Sequence, residues 1–189
     1  AERSVFGGLG TTYHQTDKEH FVESVAFTAY RAKIFKEIGL FDPRIERGAD
    51  SEFNLRLAKS GYRLLYTPKT FVYHSETHSI CAFLTKMIGF GAARAKVTRM
   101  YPWSFRAIYV LPSLALLMFF SLTIGSLFDA RLLIVLIGLI IAYTLCSSLS
   151  AAKLAWHEGL GKILRVMISF PLIHIGYGIG FLLGSVFPF

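Results

Sequence analysis

Apolar positions change their spacing along this chain, and the change divides it in two. Up to about residue 107 they come in short runs broken by charges and glycines; beyond 108 they are nearly continuous. In the first part, VESVAFTAY alternates as a strand does, and RAKIFKEIG then takes helical spacing with Gly39 as its C-cap. FDPRIERG reads as a loop. A helix follows to about Ser60, capped by Asp50 or Ser51 and ended by Gly61. YRLLYTPKTFVYH predicts two short strands split by Pro68.

From 79 to about 100 the pattern is amphipathic. Ile80, Phe83, Leu84, Met87, Ile88 and Phe90 stand against Lys86, Arg94, Lys96 and Arg99. Placed just before a membrane span, this predicts a helix lying in the interface, with a core-facing helix as the alternative. Three apolar stretches then reach the roughly 20 residues that a bilayer crossing needs, at about 108–128, 132–152 and 166–187. The connection at 129–131 is short, so the first two spans run antiparallel. In the third, Gly176, Gly180 and Gly184 recur every four residues, a spacing that permits close helix contact.

Charge follows the same division. Residues 1–107 hold 16 of the 20 Lys and Arg and 10 of the 12 Asp and Glu. The formal charge of +8 does not indicate nucleic acid, because Arg94, Lys96, Arg99 and Arg106 gather where the polar part meets the apolar part. That placement suits anionic lipid and the positive-inside bias. With 153–165 also basic, the bias predicts a multi-pass protein of the inner (plasma) membrane, its polar domain cytoplasmic and its C-terminus outside. Cys81 and Cys146 lie in unlike contexts and predict free thiols. The chain begins without Met or a signal peptide, as a piece of a longer protein does.

Candidate chemistry is concentrated in IERGADSEFNLRLAKSGYRL, residues 45–64. Asp50 and Glu52 open a helix, where a carboxylate either answers the exposed N–H groups or acts as a base. Glu52 points away from Asp50 and reads as a helix-dipole or acceptor-side residue. Arg56 ties the helix to the preceding loop through an ion pair. Glu23 sits in an apolar strand, where an unpaired carboxylate is costly, and is expected to face an acceptor cleft. His74 and His78 in HSETH have the spacing of a helical zinc pair but no further ligand nearby. GGLG at 7–10 reads as a flexible loop, and His174 is the ionisable group deep within a span.

The order of these pieces is recognisable. Gly39, Phe41, Asp42, Asp50, Arg56, Leu57, Gly61, Tyr62, Pro68, Val72 and His74 reproduce the spacing of "G-hydrophobic-F-D", an acidic motif, "R-L-x-x-x-G-Y" and "P…V-x-H". The chain thereby resembles the second half of the catalytic domain of family 2 glycosyltransferases, of the membrane-bound exopolysaccharide (succinoglycan-synthesis) kind. The later IHIGYGIGFLLG is similar to the last membrane helix of that group.

This resemblance implies an α/β fold: the second half of a GT-A domain over 1–78, an interfacial helix and linker over 79–107, and three transmembrane helices over 108–189. It implies transfer of a sugar, with inversion, from a nucleotide-sugar donor to a polyprenyl-phosphate-linked or polysaccharide acceptor. Asp50 is then the general base, Glu23, Glu52 and His74 belong to the acceptor or donor site, and His74 lies near a divalent metal (Mg or Mn). Lys86, Arg94 and Lys96 meet the acceptor's phosphates and membrane lipids. Two departures stand out: Ala49 replaces the usual Glu before the Asp, and no D-x-D occurs in the 189 residues. A non-catalytic membrane scaffold or interaction subunit derived from such an enzyme is the alternative.

Overall fold

The computed structural model describes residues 18–25, 27–70, 73 and 79–187. Among them two short strands and six helices form a small polar unit set on a helical bundle. Strand β1 (His20–Val22) pairs antiparallel with β2 (Leu64–Tyr66), with Phe21 opposite Leu65. The strand expected over VESVAFTAY stops at Val22. Beyond it the Val25 carbonyl accepts from the Thr28 hydroxyl at 2.8 Å, and Phe27 takes the left-handed conformation (φ 57°), which turns the chain off the ladder.

Helix α1 (Ala32–Ile38) ends where it was expected to: Gly39, at φ 91°, returns its N–H to the Phe35 carbonyl. Helix α2 (Ala49–Lys59) starts differently. Its N-cap is Gly48, left-handed at φ 71°, and no side chain caps it, so Asp50 and Ser51 lie inside the first turn instead of before it. The apolar face of α2 makes the core of the polar unit. Phe53 and Leu57 are buried with Ile34 and Leu64, and Tyr30, Phe35 and Phe41 surround the Phe53 ring.

Helix α3 (Ile80–Met100) is capped by Ser79 and followed by two single 3-10 turns, Pro102–Ser104 and Ala107–Tyr109. Helices α4 (Leu111–Gly125), α5 (Ala130–Ala155) and α6 (Leu160–Val186) complete the bundle. Asp129 caps α5 through Arg131 N–H at 2.9 Å, giving the short connection read from the sequence. Helices α5 and α6 are long and apolar enough to cross a membrane. Helix α4, expected to span 108–128, has 15 residues, about 22 Å at 1.5 Å each, short of a hydrocarbon core of about 30 Å.

The glycine spacing of α6 finds its partner in α3. An added Cβ on Gly180 would stand 2.0 Å from the Ile88 carbonyl oxygen, and one on Gly184 2.6 Å from that of Ala92. Gly91 of α3 meets the Tyr177 carbonyl in the same way, at 2.1 Å. The two backbones therefore touch, and contacts advance together along both helices, from Gly176 at Met87 to Gly184 at Ala92. Helix α3 thus lies along the C-terminal half of α6. Arg99 completes this seam by donating to the carbonyls of Ser185 and Phe187, each at 3.4 Å. The end of α6 and the polar unit, which charge counting places on opposite faces of a membrane, consequently lie side by side.

Candidate functional site

The first turn of α2 carries two carboxylates in opposite environments. Gly48 turns the chain into the helix, and the spacing of two residues then sends Asp50 and Glu52 to different faces. Asp50 is half-buried and makes no hydrogen bond or ion pair with another described residue. Its charge adds to burial in raising the hydroxyl pKa of nearby Tyr30. Beside it runs a neutral network. The Tyr30 hydroxyl donates to Asn54 Oδ1 at 2.6 Å, and Asn54 Nδ2 donates to Ser24 Oγ at 3.2 Å.

Glu52 is fully buried. Arg56 donates to it through Nε at 2.6 Å and Nη2 at 3.0 Å, and the Tyr101 hydroxyl donates at 2.8 Å. The remaining Arg56 donors go to the carbonyls of Ile38 (2.9 Å) and Leu40 (2.8 Å), so Arg56 does tie α2 to the loop. Glu52 raises the Arg56 pKa through the hydrogen bond, and burial, followed by Glu52, raises that of Tyr101. A carboxylate with no exposed surface cannot touch an acceptor, so its expected acceptor-side role gives way to a structural one. An open depression of about 420 Å³, lined by Phe41, Asp42, Arg44, Arg56 and Tyr101, flanks this network.

The other expected residues lie apart from α2's first turn. Glu23 follows β1, is exposed, and pairs with Arg106 at 2.5 Å, which raises the Arg106 pKa through that hydrogen bond. Lys86 lies over the Phe90 ring at 5.8 Å, and Arg94 over the Tyr109 ring at 4.6 Å. Lys96 is half-buried on α3. His74, His78 and the 7–10 loop lie outside the described residues. Among the described residues no three His, Cys, Asp or Glu are grouped to hold a metal. These residues do not by themselves fit the divalent ion that the resemblance implies.

Sequence reasoning missed Tyr101, Trp103 and Arg106 as a group. Tyr101 holds Glu52, Trp103 lies under the Lys59 ammonium at 5.0 Å, and Arg106 holds Glu23. One six-residue segment thus makes three contacts with the polar unit. A signal was available in its composition, since Tyr, Trp and Arg next to an apolar span mark a membrane-proximal anchor.

Comparison with known proteins agrees with the resemblance. The chain is 28% identical over 96 residues to the succinoglycan biosynthesis protein ExoA of Rhizobium meliloti, covering 51% of this chain and 29% of that protein. It is 29% identical over 119 residues to the dolichyl N-acetyl-alpha-D-glucosaminyl phosphate 3-beta-D-2,3-diacetamido-2,3-dideoxy-beta-D-glucuronosyltransferase of Methanococcus voltae, covering 62% of this chain and 36% of that protein. The chain therefore spans about a third of the length of these relatives. No family model matches it, and no solved structure does.

Proposed function

We propose that this chain is part of a membrane-bound glycosyltransferase in which Asp50 is the general base. One observation carries the assignment. Asp42, Glu52 and Glu23 are each held by a guanidinium (of Arg44, Arg56 and Arg106), and Glu46, which has no partner among the described residues, is exposed, whereas Asp50 is half-buried and has none. It is also not the helix cap, so beyond the helix dipole that any first-turn acid meets, no contact accounts for it. A scaffold reading leaves this carboxylate only that dipole.

In the reaction, an acceptor hydroxyl gives its proton to Asp50 as its oxygen bonds to the anomeric carbon of a nucleotide-bound sugar. The bond from that carbon to the phosphate oxygen breaks, and the electron pair leaves with the nucleoside diphosphate. Attack from the face opposite the leaving group inverts the anomeric centre. The donor belongs to residues outside this chain, whose relatives are roughly three times longer than the matched segment. The acceptor is lipid-linked or a growing polysaccharide, in keeping with the two apolar helices and the names of the relatives.

Asp50→Asn in the complete protein tests this. Asn keeps the size of Asp but takes no proton, so transfer should fall by at least 10²-fold, the low end for loss of a general base, while Tm stays constant. Glu46→Gln, in the exposed loop just before α2, is the control and should be silent. Near-normal transfer by Asp50→Asn overturns the assignment.

A further inference from the structure

We infer that Glu52 and Tyr101 are positioning residues: their half-buried hydrogen bond pins α2, and with it Asp50, at a fixed height on the membrane-side helices. The inference rests on the reading of Asp50 as the base.

Stability alone does not call for this arrangement. Phe53 and Leu57 already supply the apolar face of α2, and a buried ion pair is often replaceable by apolar groups without loss. What the network adds is direction. Glu52 belongs to the same helical turn as Asp50, and its carboxylate is fixed from two sides. On one side Arg56, itself spent on the Ile38 and Leu40 carbonyls, locks it to the polar unit. On the other, Tyr101 caps α3, the helix whose backbone touches α6 through Gly91.

From Asp50 to the bundle there is therefore a short chain of rigid pieces whose charged side-chain joint is Glu52 to Tyr101. The parallel contacts, Lys59 over Trp103, Glu23 with Arg106 and Arg47 against Gly89 of α3, involve exposed side chains, which hold geometry weakly. An acceptor anchored in the bilayer presents its hydroxyl at a set height, so the base must be held at a matching one. Water, the acceptor in donor hydrolysis, has no such requirement.

Tyr101→Phe is the test, because it keeps the ring and its packing beside Trp103 and deletes only the hydroxyl. The complete protein is placed in vesicles of phosphatidylethanolamine and phosphatidylglycerol. Spin labels are carried by Ala58→Cys and the exposed native Cys81, with Cys146 changed to Ser. Tyr101→Phe should broaden the label-to-label distance distribution with only a modest fall in Tm, since Arg56 still holds Glu52. It should also lower transfer into extractable lipid about tenfold, the scale of one hydrogen bond to a charged group, with hydrolysis of the same nucleotide sugar unchanged. An unchanged distance distribution overturns the pin. A broadened distribution with an unaltered ratio of lipid transfer to hydrolysis overturns its positioning role. Should Asp50→Asn prove silent, the catalytic reading falls by itself, and the distance measurement still decides the pin.

Discussion

Asp42 shows what a surface contact does to a single carboxyl in this protein. Arg44 grips it with its backbone N–H (2.9 Å), Nε (3.0 Å) and Nη2 (2.6 Å), and those hydrogen bonds hold its pKa down to about 2. Because the folded state favours the charged form, its stabilisation is complete above the ordinary value near 4 and is lost as pH falls through about 2. Arg44→Ala should return the Asp42 titration, followed by NMR, toward the ordinary range; a value still near 2 would mean that another group holds it. The same scale explains what the sequence told of the site. The place of Asp50 at a helix start was legible, since the flanking pattern is local, though Gly48 and not Asp50 or Ser51 proves to be the cap. That Glu52 faces away from Asp50 was legible too; its burial was not, because it depends on Tyr101, a residue distant in sequence. The i,i+4 spacing of Glu52 and Arg56 was the available clue. It makes Glu52→Gln a poor companion control to Asp50→Asn: breaking a buried pair costs about 3–5 kcal/mol, and Tm should drop with it.

At the level of elements, local chemistry and distant partners separate cleanly. Helix α1, its glycine cap, the body of α2 and the extents of α3, α5 and α6 follow from periodicity and caps that neighbouring residues supply. The strand over VESVAFTAY failed because alternation says nothing of whether a partner strand is present, and β2 offers only three residues. The glycine repeat of α6 announced a close contact, but the partner lies some 90 residues earlier, in a helix whose charges suggested a lipid surface. Two glycine substitutions should behave oppositely here. Gly180→Ala drives a Cβ into the Ile88 backbone, which no rotamer change relieves, and should cost about 1–3 kcal/mol in detergent unfolding. Gly138→Ala meets nothing within 4 Å in the middle of α5 and should gain up to about 1 kcal/mol. Equal Tm values for the two would dismantle the α3–α6 seam.

For the whole molecule, the deciding question is which parts share a side of the membrane. Arg99 holds the end of α6 two residues before Tyr101 holds the polar unit, whereas the basic loop at 153–165 lies at the far ends of α5 and α6. Cysteines introduced at Ser60 and Ser185 should therefore be labelled by an impermeant reagent from one side, and one at His157 from the other. Labelling of Ser60 together with His157, and of Ser185 from the other side, would restore the arrangement that charge counting favours. The α3–α6 seam also has a consequence in time. Ile88 and Gly180 are 92 residues apart, so at roughly 5–20 residues per second α6 is made about 5–20 seconds after α3. Throughout that interval the face of α3 around Gly91 and Ala95 exists without its cover. Damage to the seam should accordingly appear first as chains degraded during synthesis.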